Sequence, residues 1–118
     1  MSNKPIYWGL FLESPLPTML HQWIRDQHVT FGFRTEIPES VKLGEETEVK
    51  VIGRGCDGRN EGYLVELSQE QLKVYGGAPA PHITVGLCGG KPVDTAKLSF
   101  EPIKPFVIKV RWGKFDGK

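Results

Sequence analysis

Cysteine is scarce in this chain of 118 residues: Cys56 and Cys88 are the only two. Two thiols cannot build a disulfide framework, and their spacing is not that of a zinc ribbon. No HExxH pair is present, which removes one common route to a metal site. No apolar run approaches the roughly 18 residues that a membrane helix needs. The apolar start IYWGLFL is short, stops at Glu13 and lacks a small-residue cleavage site, so it does not read as a signal peptide. No linker or low-complexity stretch divides the chain. The expectation is one domain over residues 1–118, cytoplasmic, with no membrane partner, metal or cofactor.

Hydrophobic residues make up 39% and charged residues 25%, which suits a folded globular chain rather than a disordered one. The 14 glycines and 9 prolines imply many turns and short elements. The net charge of +1 hides an asymmetry. Residues 1–88 carry eight Lys/Arg against eleven Asp/Glu, whereas residues 89–118 carry seven (Lys91, Lys97, Lys104, Lys109, Arg111, Lys114, Lys118) against three. A basic final third is either a solvated face or a phosphate-facing edge, and charge alone does not separate the two.

The first strand expected is Ile6–Leu12. Ser14 before Pro15, Leu16 and Pro17 reads as a helix start, and Leu16, Met19, Leu20, Trp23 and Ile24 recur at helical spacing. From His28 onward the pattern turns to β. Strands are expected at His28–Phe33, Thr47–Ile52, Tyr63–Leu67, His82–Leu87 and Phe106–Trp112, with Asp57-Gly58 as a hairpin turn and Ser68–Lys73 as one helical turn. The fold class is α+β: mainly antiparallel sheet with one or two helices.

The most informative feature is a near-repeat. His28-Val29-Thr30-Phe31-Gly32-Phe33 and His82-Ile83-Thr84-Val85-Gly86-Leu87 share the pattern His-apolar-Thr-apolar-Gly-apolar at a spacing of 54 residues. In a strand, side chains alternate faces. His28, Thr30 and Gly32 would therefore face one way and Val29, Phe31 and Phe33 would be buried, with the same division in the second copy. A glycine inside a strand implies close approach of backbone or ligand. Two such strands would surround a cleft with two imidazoles and two hydroxyls. That set suits phosphate ester chemistry: one imidazole takes a proton, the other gives one, and the hydroxyls bind the non-bridging oxygens.

The two motifs resemble the signature of the 2H phosphoesterase superfamily, and the order of strand, helix, motif, hairpin, motif fits it over most of the chain. HVTFGF and PHITVG followed by KPVDTAKL are most similar to the cyclic phosphodiesterase domain of fungal and plant tRNA ligases. The resemblance implies a compact bilobal fold in which each lobe contributes one His-x-Thr strand. It further implies His28 and His82 as the catalytic pair, Thr30 and Thr84 as phosphate-binding hydroxyls, and metal-independent hydrolysis of 2′,3′-cyclic phosphates on RNA ends or nucleotides. The chain is shorter than fuller members of the family, with fewer surfaces to grip a folded RNA. Small members include phage nucleases that cut cyclic oligonucleotide signals, which makes such compounds an alternative substrate.

Around the expected cleft, Tyr7 and Trp8 occupy the first strand and face opposite ways, so at most one reaches it. Tyr75 in the Gly-rich loop, Lys91 after Gly89-Gly90, and Trp112 beside Arg111 and Lys114 are further substrate-binding candidates. The cleft is expected to be shallow, with the basic final third forming one rim. Cys88 reads as a packed thiol. A non-catalytic nucleotide- or RNA-binding module is the alternative from another class, drawing on the same basic residues and aromatics.

Overall fold

The computed structural model describes residues 4–117. Among these, seven strands form: β1 Tyr7–Leu12, β2 Gln22–Trp23, β3 His28–Phe33, β4 Glu46–Cys56, β5 Asn60–Glu66, β6 His82–Leu87 and β7 Glu101–Phe115. One helical turn, α1 Gln69–Leu72, and a 3-10 segment, Pro92–Lys97, complete the set. The strands pair in the order β6-β3-β1-β7-β4-β5, and a further β5–β6 pairing closes this ring into a six-stranded antiparallel barrel. Strand β2 adds to β6 outside the ring. Mostly antiparallel sheet with two short helical pieces is thus the observed architecture. No helix among the described residues is long and apolar enough to cross a membrane.

The alternating apolar residues fill the barrel, with Leu10, Val29, Phe31, Val51, Ile83 and Val85 fully enclosed. Strands β4 and β7 run beyond their apolar stretches because they pair with each other over most of their length. Strand β7 starts at Glu101, before the expected Phe106, and takes in Pro102 and Pro105. Pro105 is tolerated because residues 103–105 bulge opposite Ile52 alone.

The helix expected over residues 15–25 does not form. Its sequence spacing is overridden by tertiary hydrogen bonds. Gln27 accepts from Leu16 N at 2.7 Å and donates to the carbonyls of Leu16 and Ile24, while buried Glu61 accepts from Thr18 Oγ1 and Met19 N. Two prolines already deny this segment backbone donors. It runs as an extended strap instead, with Met19 81% and Trp23 43% exposed rather than buried.

The barrel has an internal two-fold. In the β1–β3 ladder Trp8 faces Gly32 and Gly9 faces Thr30, so Phe31 is a bulge; in the β5–β6 ladder Glu61 faces Gly86 and Gly62 faces Thr84, so Val85 is one. The bulge falls at the same position of both hexapeptides. One half is β7-β1-β3 and the other β4-β5-β6, with β3 and β6 related across the Val29–Ile83 pair. Each bulge reverses the alternation, so Gly32 and Gly86 turn inward. A Cβ on Gly32 would meet Trp8 Nε1 and Thr35 Oγ1, and a Cβ on Gly86 would meet Thr18 Oγ1. In each half that threonine is bonded to the residue facing the glycine: Trp8 Nε1 donates to Thr35, and Thr18 donates to Glu61. The motif glycine therefore makes room for a threonine strap, not for a ligand.

Gly9 and Gly62 occupy equivalent places, and an added Cβ would lie 2.0 Å from Val29 O in one and 2.7 Å from Ile83 O in the other. Both contacts are to backbone, which cannot swing away. Gly62→Ala should cost about 3 kcal/mol by overpacking. Gly58→Ala, which meets no atom within 4 Å but has φ +87°, should cost only about 1 kcal/mol. Urea denaturation of the two variants decides. Equal losses would contradict the close approach.

Candidate active site

Strands β3 and β6 share one backbone pair, Val29 opposite Ile83, and then diverge. Side chains flanking that pair emerge on the outer face of the barrel. His28, Thr30, His82 and Thr84 consequently line one cleft of about 700 Å³, together with Tyr7 and Tyr75. The edges left free by the diverging strands are taken up by the two long loops, crosswise. Gly76 N, from the loop before β6, donates to Phe31 O on β3 at 2.8 Å; Ile24 N, from the strap before β3, donates to Val85 O on β6 at 2.9 Å.

Both imidazoles are held alike. His28 Nδ1 lies 2.8 Å from the Asp26 carbonyl, and His82 Nδ1 lies 2.8 Å from the Ala80 carbonyl. A carbonyl only accepts, so each Nδ1 carries a proton and Nε2 is left for chemistry. The His28 ring is stacked on Tyr7 at 4.3 Å and Phe11 at 5.0 Å between centroids. Burial pulls the His28 pKa below the ordinary histidine value. The Asp26 carbonyl and carboxylate oppose this, and the charge of His82 reinforces it.

Thr84 Oγ1 donates to Thr95 Oγ1 at 2.9 Å, and Asn60 Nδ2 donates to the same oxygen at 3.0 Å. Thr95 is fully buried in the 3-10 segment and steadies the second motif from behind. It escaped the sequence reading, although Pro92 at the first helical position was a usable signal. Phe33 was also misplaced: the bulge at Phe31 turns it out of the core to 62% exposure at the cleft. Tyr75 closes one wall. Its hydroxyl donates to the Ala78 carbonyl, its ring meets Phe31 edge-on, and burial raises its pKa to about 12.

Other candidates lie elsewhere. Trp8 (2% exposed) and Trp112 (9%) are core residues packed on Phe31. Lys91 is exposed and does not line the cleft; its backbone carbonyl accepts from Asn60 Nδ2. The basic final third forms no rim. Arg111 pairs with Glu13 and Glu46, Lys97 with Asp94 and Lys114 with Asp116, while Lys118 lies outside the described residues. No Lys or Arg side chain lines the cleft, and Asp26 is the one carboxylate among its lining residues. Cys88 is exposed rather than packed. Among the described residues no three His, Cys, Asp or Glu side chains cluster as a metal-binding group.

No protein-family model matches the chain, and no curated protein is significantly similar to it in sequence.

The depressed pKa of His28 has a measurable consequence. An unfolded chain binds this proton near pH 6.5, whereas the folded protein resists it until lower pH. Stability associated with His28 is therefore full above pH ~6.5 and is lost as pH falls through the folded value. Denaturation midpoints between pH 7.5 and 5 should fall less steeply in His28→Gln than in wild type. Parallel curves would show that the ring is not desolvated.

Proposed function

We propose that the protein is a metal-independent phosphodiesterase of the two-histidine kind, acting on 2′,3′-cyclic phosphates of nucleotides or RNA ends, with β7-β1-β3 and β4-β5-β6 as its two lobes. The observation that supports this most is the meeting of two Nδ1-anchored imidazoles and two threonine hydroxyls in one cleft across the Val29–Ile83 pair. The hydrophobic core lies on the other face of both strands, so the quartet is not part of it.

The chemistry follows from the anchoring. A neutral imidazole bonded through Nδ1–H presents a lone pair at Nε2, and His28, kept neutral by burial, is the base. It takes a proton from a water that attacks phosphorus, so a P–O bond to water forms. The bond from phosphorus to one ribose oxygen breaks, and His82 Nε2–H gives that oxygen its proton. Loss of the 3′ oxygen leaves the 2′-phosphate of the tRNA-ligase branch. Thr30 and Thr84 can turn their hydroxyls to the non-bridging oxygens, where charge builds in the transition state. The binding-module alternative has less support, since no Lys or Arg lines the cleft and Lys97, Arg111 and Lys114 are paired with carboxylates.

Adenosine 2′,3′-cyclic phosphate is the first substrate to assay. Replacing either His28 or His82 by Ala should lower turnover at least about 10²-fold, and chelators should leave it unchanged. The acidic limb of the pH profile should fall below the ordinary histidine value, because the base remains neutral there. Full activity of either variant, or abolition by EDTA, would contradict the proposal.

A further inference from the structure

We infer that Phe33 and Arg34 form a subsite for a second nucleoside and its linking phosphate, next to the cleft; this rests on the phosphodiesterase reading and names the substrate as dinucleotide or larger. Phe33 stands directly opposite Tyr7 in the β1–β3 ladder, and Tyr7 in turn lies flat on His28. Cross-strand partners share a face, so Phe33 continues the aromatic floor outward from the imidazole. It is three strand residues beyond Thr30, about 10 Å. A base attached one nucleotide away from the reacting phosphate can reach that ring.

The internal two-fold gives an independent comparison. Leu87 is the counterpart of Phe33, and it is buried under β2, where Gln22 pairs with it. The strap that covers Leu87 has no equivalent over Phe33, which is left 62% exposed. A large aromatic ring stands open in the half where the same position could have been closed. An open ring face at a nucleotide cleft is a stacking platform that accepts any base.

Arg34 supplies the charge. Its guanidinium carbon sits 5.4 Å from the Phe33 ring centroid, and it makes no ion pair among the described residues. The backbone there is left-handed, φ +55°, a conformation that disfavours side chains and usually calls for glycine. Arginine is held at a position where glycine would be less strained. The cleft itself contains no Lys or Arg, so a second phosphate would meet no lysine or arginine cation inside it. A second phosphate needs a cation at the mouth, and the guanidinium over one face of the Phe33 ring provides one, leaving the other face to a base.

The test uses three ligands: adenosine 2′,3′-cyclic phosphate, the linear dinucleotide ApA ending in a 2′,3′-cyclic phosphate, and cyclic 3′,3′-di-AMP. Binding is measured by calorimetry on the His28→Ala/His82→Ala double variant, with and without Phe33→Ala or Arg34→Gly, and hydrolysis is measured on the wild-type chain. At least one two-base ligand should bind more tightly than the mononucleotide, and which one does so separates an RNA end from a cyclic dinucleotide. Each added substitution should weaken that ligand about tenfold, and at least about fivefold more than the mononucleotide. Arg34→Gly should melt no lower than its parent, so its loss of binding cannot be blamed on folding. Equal losses on one- and two-base ligands, or no gain from the second base, would overturn the subsite. Phe33-dependent dinucleotide binding without hydrolysis by wild type would keep the subsite and remove the phosphodiesterase reading.

Discussion

The arrangement depends on one backbone pair. Val29 and Ile83 join β3 to β6, and beyond that pair the strands separate. Had they stayed paired along their length, the two His-x-Thr faces would form a flat ladder with no room between loops. Because they diverge, each exposes a free edge, and each edge captures the loop that precedes the other strand, at Phe31 O and Val85 O. The His-x-Thr face and its walls thus come from a single geometric event, and neither half can build the cleft alone.

The two bulges convert a repeated sequence into that geometry. They keep His28, Thr30, His82 and Thr84 outward while turning Gly32 and Gly86 inward beneath threonine straps. The halves then diverge in chemistry at equivalent places. Trp8 packs into the core, whereas Glu61 is buried against Arg54 at 2.6 Å and ties down the strap that covers Leu87. Burial pushes the Glu61 carboxyl up, but its bonds from Thr18, Met19 and Arg54 outweigh this and hold it below the usual carboxylate range. One half is closed by polar anchoring and the other is left open at Phe33.

Much of this was legible from local pattern. Both motif strands, the Asp57-Gly58 turn and the helical turn capped by Ser68 announce themselves through short-range rules, and all of them form. The strap from Leu16 to Ile24 did not, because its spacing imitates a helix while its conformation is set by Gln27 and Glu61. Those partners are visible only after folding. Strict alternation likewise placed Phe33 in the core and the motif glycines at the cleft. A single bulge reverses both assignments, and it shows only in the pairing with β1 and β5, outside the hexapeptide. The basic final third misled in part for a similar reason: Arg111 meets Glu13 and Glu46 from distant segments, while Lys97 and Lys114 pair locally with Asp94 and Asp116. Composition records the charges but not their neighbours.

The central claim is that two Nδ1-anchored imidazoles act on one phosphate. Nitrogen-15 NMR of the histidine rings during titration with adenosine 2′-monophosphate, the expected product, tests it most directly, with His21 as an internal control. The account predicts that Nε2 of His28 and of His82 shift along a common saturation curve while both Nδ1 signals remain protonated and His21 does not move. A response from only one of the two rings, or from all three equally, would contradict it.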